Sequence, residues 1–303
     1  MDVSTILVSY NTFALTREAV ASALAAAPGL AHQVIVVDNA SPDGSAARLA
    51  AAFAGDARVT VLDTGQNPGF AAANNRGAER ATGRVLYFLN PDTVSHGDGI
   101  ARLVAYLDAH PAAGAVGPRV LNADGSDQPS TSTFETVGSL LRHYFPVGGG
   151  RRQPDPGAGP QPVDIVKGCA LAVRRDAFDA VGGWDERTFL YAEEDELCWA
   201  LAERGLATVY LPDATVTHYG GAATAERYVE HQLMACESGV AFLRRHATPG
   251  LVRFNRAAGW LGFGLRALAF PALAALRPSR GDDYRRRGAA AAALWRWFAF
   301  RHP

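Results

Sequence analysis

Short uninterrupted apolar runs alternate with helical patterns along the first 90 residues. Residues 3–9 (VSTILVS) and 34–37 (VIVV) carry no polar alternation, which predicts strands covered on both faces. Residues 59–62 and 85–89 read the same way. Between these runs, helices are expected over about 14–27, stopped at Pro28-Gly29, from near Ser45, and over about 71–80. Further on, the pattern predicts a helix over 100–110 and a strand over 163–173 interrupted at Gly168. A helix from Glu193 to Gly205, a strand over 207–211 and helix from about 225 onward follow. Strands alternating with helices at this spacing predict an α/β fold with a mostly parallel sheet. Ligands of such sheets lie at the carboxyl ends of the strands, where Tyr10, Asp38 and Asp92 fall.

At 303 residues the chain is long enough for one large domain or two modest ones. The division expected is a catalytic domain over 1–225 and a helical, basic extension over 226–303. Lys167 is the only lysine. The three cysteines, Cys169, Cys198 and Cys236, form no metal spacing, and a reducing compartment is expected. No secretory signal is expected from the first residues. The formal net charge of −1 hides an asymmetry, because from Arg244 onward 12 arginines face only Asp282 and Asp283, a balance of +10 against −11 for the rest. A basic tail points to an anionic surface. Its arginines alternate with alanine, leucine and tryptophan, which favours a membrane over nucleic acid.

Several residues carry candidate chemistry. Asp38 closes a buried strand, where a carboxylate either caps a turn or accepts from a base or ribose. No GxGxxG follows the first strand, so a dinucleotide fold is disfavoured. Asp92, in Asn90-Pro91-Asp92, ends another strand and suits a hard cation that bridges phosphates, with Asn90 offering a neutral oxygen or a hydrogen bond. On a helical wheel of about 100° per residue, Leu190, Leu197 and Leu201 define an inward stripe, and Glu194 lies within about 40° of Leu190. Asp195 and Glu196 point away. A carboxylate on a buried stripe needs a partner or a task, so Glu194 is the candidate base, with Glu193 beside it. His218 precedes Gly220-Gly221 and is either structural or a ligand.

Three ordered segments resemble family 2 glycosyltransferases of the GT-A fold: VIVVDNASPDGS (34–45), NPGFAAANN (67–75) and LNPD (89–92). GGWDE (182–186) followed by FLYAEE (189–194) is similar to the acceptor-side motif of the same family, in its rhamnosyltransferase-like members. The resemblance covers about 3–225. It implies inverting transfer of a sugar, rhamnose first, from a nucleotide-diphospho-sugar (dTDP- or UDP-linked) to a glycan or polyprenyl-linked acceptor at the inner face of the cell membrane. Ser9, Tyr10, Asn11, Asp38, Asn39, Asn67, Phe70, Asn74, Asn90 and Trp184 would surround the donor, with Asp38 on the base. Asp92 and His218 would hold Mg2+ or Mn2+, and Glu194 would be the general base with Glu193 adjoining. Asn90 stands where a strict DxD has its first acid, and Glu194 where aspartate is more usual.

Residues 257–276 are about long enough to cross a bilayer. Arg266 near the centre and Pro271 argue against a span, and the following Arg277, Arg280, Arg285, Arg286 and Arg287 with Trp295 and Trp297 suit an interfacial helix. A helical appendage packing on protein is the other reading. Two rival functions are a sugar nucleotidyltransferase, which would carry a glycine-rich basic loop that residues 8–12 lack, and a non-catalytic nucleotide-sugar-binding or assembly protein, which would leave Glu194 without a task. A loop over 148–162 containing Arg151 and Arg152 is expected near the site.

Overall fold

The structure, a computed structural model, describes residues 1–145, 153–220 and 227–300. The first elements are β1 (Val3–Ser9), α1 (Phe13–Ala25), β2 (His32–Asp38), α2 (Ser45–Ala52), β3 (Val59–Asp63), α3 (Phe70–Arg80) and β4 (Val85–Leu89). Next come β5 (Thr93–Ser95), α4 (Gly99–Ala109), β6 (Ala113–Leu121), β7 (Asp127–Gln128), β8 (Thr131–Ser132) and α5 (Val137–Tyr144). They are followed by β9 (Gln161–Val163), β10 (Ile165–Val166), β11 (Ala170–Arg174), α6 (Arg175–Val181), α7 (Glu193–Glu203) and β12 (Ala207–His218). The long helices α8 (Tyr228–His246), α9 (Pro249–Leu276) and α10 (Gly281–Phe300) complete the described chain.

The chain divides into two units, Met1–Thr133 with Gln153–Gly220, and Phe134–Arg152 with Gly221–Pro303. The first holds the sheet, in the order β3-β2-β1-β4-β11-β6-β12-β5, with β7 on β6 and β9 on β12. β3, β2, β1 and β4 are parallel, as are β6 and β12. β11 is inserted antiparallel to both β4 and β6. The sheet is therefore mixed but mostly parallel in its N-terminal part, with helices on both faces.

Alternation along each strand explains the unbroken apolar runs. Val3, Leu7, Val34, Val36, Val85 and Tyr87 enter one core, which α1 and α4 cover through Ala19, Val20, Ile100 and Leu103. Ile6, Val8, Ile35, Val37, Leu86 and Phe88 enter the other, covered by α3, α6 and α7 through Ala73, Phe178, Leu197 and Leu201. β12 runs on through a register shift between Leu211 and Thr215 to His218, well past the strand expected over 207–211. The expected 163–173 strand is two, β10 and β11, parted around Gly168. Part of the loop expected over 148–162, including Arg151 and Arg152, lies outside the described residues, as does Gly221. From Gln153 the chain passes through a 3-10 turn at Pro156–Ala158 into β9.

The second unit is discontinuous in sequence. α5 is grouped with the C-terminal helices, although it lies far inside the first 225 residues. Its core is Leu140, Tyr144, Val240, Ala258, Phe263, Ala291, Leu294 and Phe298. Gly259 and Gly262 permit close packing, since a Cβ would stand 2.7 Å from the Phe298 ring at one and 2.8 Å from Tyr144 Cβ at the other. The buried Tyr144 hydroxyl donates to Asn255 Oδ1 at 2.7 Å. The expected C-terminal helical extension is present.

Candidate active site

The ends of β1 and β2 lie side by side, Ser9 opposite Asp38. Ser9 is buried and shares its hydroxyl with Thr12 and Thr16, while its carbonyl accepts from the Asn39 amide at 2.8 Å. Asp38 is wholly buried. Its two carboxylate oxygens accept from the backbone N–H and the hydroxyl of Ser41, each at 2.8 Å. Ser41 in turn accepts from the amide of Asn11, whose φ of 56° is left-handed. As placed, Asp38 shapes the turn that carries Ser41, and Tyr10 and Asn11 are exposed to solvent beside it.

A second loop is clipped to the first. Asn39 donates to Asn67 Oδ1 at 3.2 Å and to the Gly69 carbonyl at 3.3 Å, and Asn67 accepts from the Gly69 amide at 3.0 Å. Asn39 Oδ1 is buried without a partner. At Gly69 (φ 95°) a Cβ would stand 2.7 Å from the Phe189 carbonyl, which instead accepts from the Phe70 amide at 3.1 Å. The loop before α3 is thus stitched to the segment entering α7. Asn74, 1 % exposed, bonds back to the Phe70 carbonyl at 3.0 Å. Its neighbour Asn75, absent from the sequence-derived set, grips both backbone groups of Trp184 and reaches Glu186. The Trp184 ring is 2 % exposed and packs edge-on against Phe88 at 4.9 Å and Phe70 at 6.1 Å. It was expected among donor-contacting residues; as placed it belongs to the core and supports Phe70.

At the end of β4, the Asn90 amide donates to the Cys169 carbonyl at 2.9 Å, and the Thr93 hydroxyl to the Asn90 carbonyl at 2.7 Å. β5 then pairs with β12, His218 opposite Thr93, and the Tyr219 amide reaches the Asp92 carbonyl at 2.9 Å. This register brings His218 Nε2 to 3.3 Å from Asp92 Oδ1 and 3.5 Å from Asn90 Nδ2. On its other side His218 Nδ1 lies 2.7 Å from Gln128 Oε1. The amide of Gln128 is oriented by donation from Nε2 to Asn122 Oδ1 at 2.8 Å and to the His218 carbonyl at 3.2 Å. An amide oxygen there requires a proton on Nδ1, which leaves the Nε2 lone pair of a neutral ring facing a carboxylate oxygen. The Asn90 side-chain amide nitrogen lies 3.5 Å from that Nε2, and a cation placed between Nε2 and the carboxylate would satisfy both acceptors. Among the described residues no cluster of three or more His, Cys, Asp or Glu is suited to a metal ion. One carboxylate and one oriented imidazole do fit a cation that takes its remaining ligands from phosphates and water.

The third part is the entry to α7. Tyr191 and Ala192 are both left-handed, at φ 72° and 66°, so the helix starts at Glu193 and Leu190 is not on it. Leu197 and Leu201 form the inward stripe as expected, but Glu196, expected to point away, is buried at 6% exposure. Glu193 and Glu196 join Leu197 and Leu201 on the buried face, whereas Glu194 is only partly buried. Burial, and next the neighbouring Glu194 charge, push the Glu193 carboxyl up to about 8, and its Oε1 is buried without a partner. Glu194 Oε1 pairs with Lys167 Nζ at 3.4 Å. Lys167 lies in the turn between β10 and β11, anchored by its amide on the Ser130 carbonyl at 2.8 Å. A Cβ at the next residue, Gly168, would already touch Glu194. Burial first, then the charges of Glu194 and Asp92, push the Cys169 thiol up to about 12, so both carboxylates act on one sulfur. The structure thus gathers Asn90, Asp92, His218, Glu193 and Glu194 around the β4 end and the β10–β11 turn. Sequence reasoning missed Gln128, for which there was no signal, and gave no task to Lys167, whose signal was its being the only lysine.

Residues 4–182 match the family model described as Glycosyl transferase family 2. The chain belongs to that family. This family 2 glycosyltransferase is 30% identical over 234 residues to the N-acetylglucosaminyl-diphospho-decaprenol L-rhamnosyltransferase of Mycobacterium tuberculosis, covering 71% of this chain and 75% of that one. The pre-mycofactocin glycosyltransferase of the same organism is 31% identical over 188 residues, 61% of this chain and 37% of its own. Among solved structures, the mannosyltransferase PcManGT of Pyrobaculum calidifontis, in complex with GDP-Man and Mn2+, aligns with a TM-score of 0.62 and 19% identity. That alignment covers 99% of this chain and 87% of that one, and it is a likeness of fold. The sheet with its helical layers and C-terminal extension is the GT-A arrangement that the motifs implied.

Proposed function

We propose that this family 2 glycosyltransferase is an inverting, metal-dependent enzyme whose catalytic domain is residues 1–225. It moves a sugar from a nucleotide-diphospho-sugar to a hydroxyl of a glycan or polyprenyl-linked acceptor, at the cytoplasmic face of the cell membrane. Rhamnose from a dTDP donor is the first choice and UDP-sugars the next. The mycobacterial relative, an L-rhamnosyltransferase named for N-acetylglucosaminyl-diphospho-decaprenol, supports rhamnose as the first choice. The observation that carries the reading is the Asp92–His218 pair, 3.3 Å apart, at the end of β4, which Asn90 ties to the β10–β11 turn where Lys167 holds Glu194.

Asp92 and His218 would hold Mg2+ or Mn2+, with Gln128 fixing the imidazole and Asn90 beside it. A cation held there would supply positive charge against the departing diphosphate. Glu194 takes the proton of the acceptor hydroxyl as that oxygen bonds to the anomeric carbon. The bond from that carbon to the diphosphate oxygen breaks in the same displacement, and its electron pair leaves with the nucleotide. Lys167 pairs with Glu194 at 3.4 Å and orients it, and Glu193, neutral below about pH 8, adds no second negative charge beside it. The loops around Ser9, Tyr10, Asn11, Asn39, Asn67 and Phe70 would frame the donor.

Calorimetric titration of dTDP, UDP and GDP, with and without Mn2+ or Mg2+, tests the proposal on the protein and on Asp92→Ala. The expected result is cation-dependent binding of one nucleotide that the variant loses. A folded protein that binds none of the three overturns the reading.

A further inference from the structure

α9 is apolar on both sides, yet only one side is packed. Its inner face buries Asn255, Ala258, Gly259, Gly262, Phe263 and Ala274. Its outer face leaves Trp260, Leu261, Leu265, Leu268 and Leu276 exposed, Leu268 and Leu276 at 78% each. At about 100° per residue these five side chains share one arc of the helix, and the stretch from 257 to 276 is roughly 30 Å long. Monomeric proteins rarely leave so continuous an apolar strip uncovered. No aspartate or glutamate occurs anywhere in α9. Exposed arginines bracket the strip, Arg253 and Arg256 at one end and Arg277 and Arg280 at the other.

We propose that the outer face of α9 is the surface by which this protein lies on an anionic lipid bilayer, parallel to its plane. The leucines and Trp260 enter the boundary between headgroups and acyl chains, and the four arginines meet lipid phosphates. A second copy of the chain fits this face poorly, because parallel and antiparallel pairing both bring arginine ends together. Length and composition alone would let α9 cross a membrane. Its inner face forbids that arrangement: Asn255 is committed to Tyr144, and Arg266 donates to the His143 carbonyl at 2.5 Å. The inference deepens the membrane placement proposed above and rests on it only for the choice of leaflet.

The test is co-sedimentation of the full-length protein with phosphatidylcholine vesicles, with and without phosphatidylglycerol, beside the nucleotide titration. Binding is expected only with phosphatidylglycerol and should fall as salt rises. Leu265→Glu with Leu268→Glu should weaken it about a hundredfold. Arg253→Gln with Arg256→Gln should weaken it about thirtyfold. Nucleotide binding should be unchanged in both variants, because neither pair is in the site. Equal binding to neutral vesicles, or resistance of the membrane-bound protein to alkaline carbonate, would overturn the proposal, the latter in favour of a span. So would a wild-type protein that ignores vesicles but dimerises through a contact that Leu268→Glu dissolves. Vesicle binding by a protein that takes up no nucleotide would retain this surface and remove the transferase reading.

Discussion

At the end of the site proposed to hold the cation, Asp92 and His218 are delivered by paired extended strands, whereas at the end proposed to hold the base Glu193 and Glu194 follow two consecutive left-handed residues. The strand pair gets its geometry from backbone hydrogen bonds: Thr93 opposite His218, Tyr219 on Asp92, Asn90 on Cys169. No φ in those strands is unusual. The helical pair depends on strain and on charge. Left-handed conformations at Tyr191 and Ala192 cost about 1–2 kcal/mol each, and burial pushes the Glu193 carboxyl up to about 8. One end is thus controlled by register and the other by electrostatics, so substitutions should affect them differently.

Glu194→Gln should have the largest effect. It removes the proton acceptor and keeps the shape, so turnover should fall about 10²–10⁴-fold while calorimetry still registers the donor nucleotide. Unchanged turnover would move the base elsewhere. At the other end, Gln128→Ala should leave the fold intact and cut metal affinity about 10–100-fold by releasing the imidazole. Its readout is the Mn2+ concentration needed for half-maximal nucleotide binding. Were the cation end controlled by charge alone, that concentration would not move.

Glu193 gives a pH test. Its carboxyl titrates near 8 in the folded protein against an ordinary value of 4.5, so the folded state holds the proton more tightly. The stability it contributes is complete below about pH 4.5 and is lost as pH rises through about 8. Glu193→Gln mimics the neutral acid and should flatten that part of the curve, read as urea midpoints across the window. Turnover at pH 7 should survive this change, in contrast to Glu194→Gln. The smallest expected effect is that of Ala192→Gly. Relieving one left-handed position should stabilise the protein by about 1 kcal/mol, less the added freedom of glycine when unfolded. A loss of stability instead would mean that the entry to α7 is not strained.

The same contrast explains what could be read in advance. Strand ends were legible because an uninterrupted apolar run stops where both faces cease to be covered: β1, β2 and β4 ended at Ser9, Asp38 and Leu89, close to the expected positions. Asp92 and His218 were proposed from residue type and motif, but their proximity needed β12 to continue through an irregular register to His218, which no local pattern in LPDATVTH announces. The entry to α7 was less legible. The wheel placed Leu197 and Leu201 correctly but sent the buried Glu196 outward, and two left-handed residues that are not glycine cannot be foreseen from propensity. The burial of Trp184 was not legible, because its motif says nothing of Phe70, Phe88 and Asn75, which enclose it. The antiparallel insertion of β11 was likewise hidden, since a run buried on both faces has the same composition in either direction.

Lys167 has a practical consequence. A chain with 28 arginines and a single lysine offers amine-directed reagents one side chain, beside the amino terminus of the chain itself. Reductive methylation with ¹³C-formaldehyde would therefore place one side-chain NMR probe 3.4 Å from the carboxylate of Glu194. Its chemical shift would follow the charge of that carboxylate directly, through titration, nucleotide addition and turnover, with no substitution in the protein.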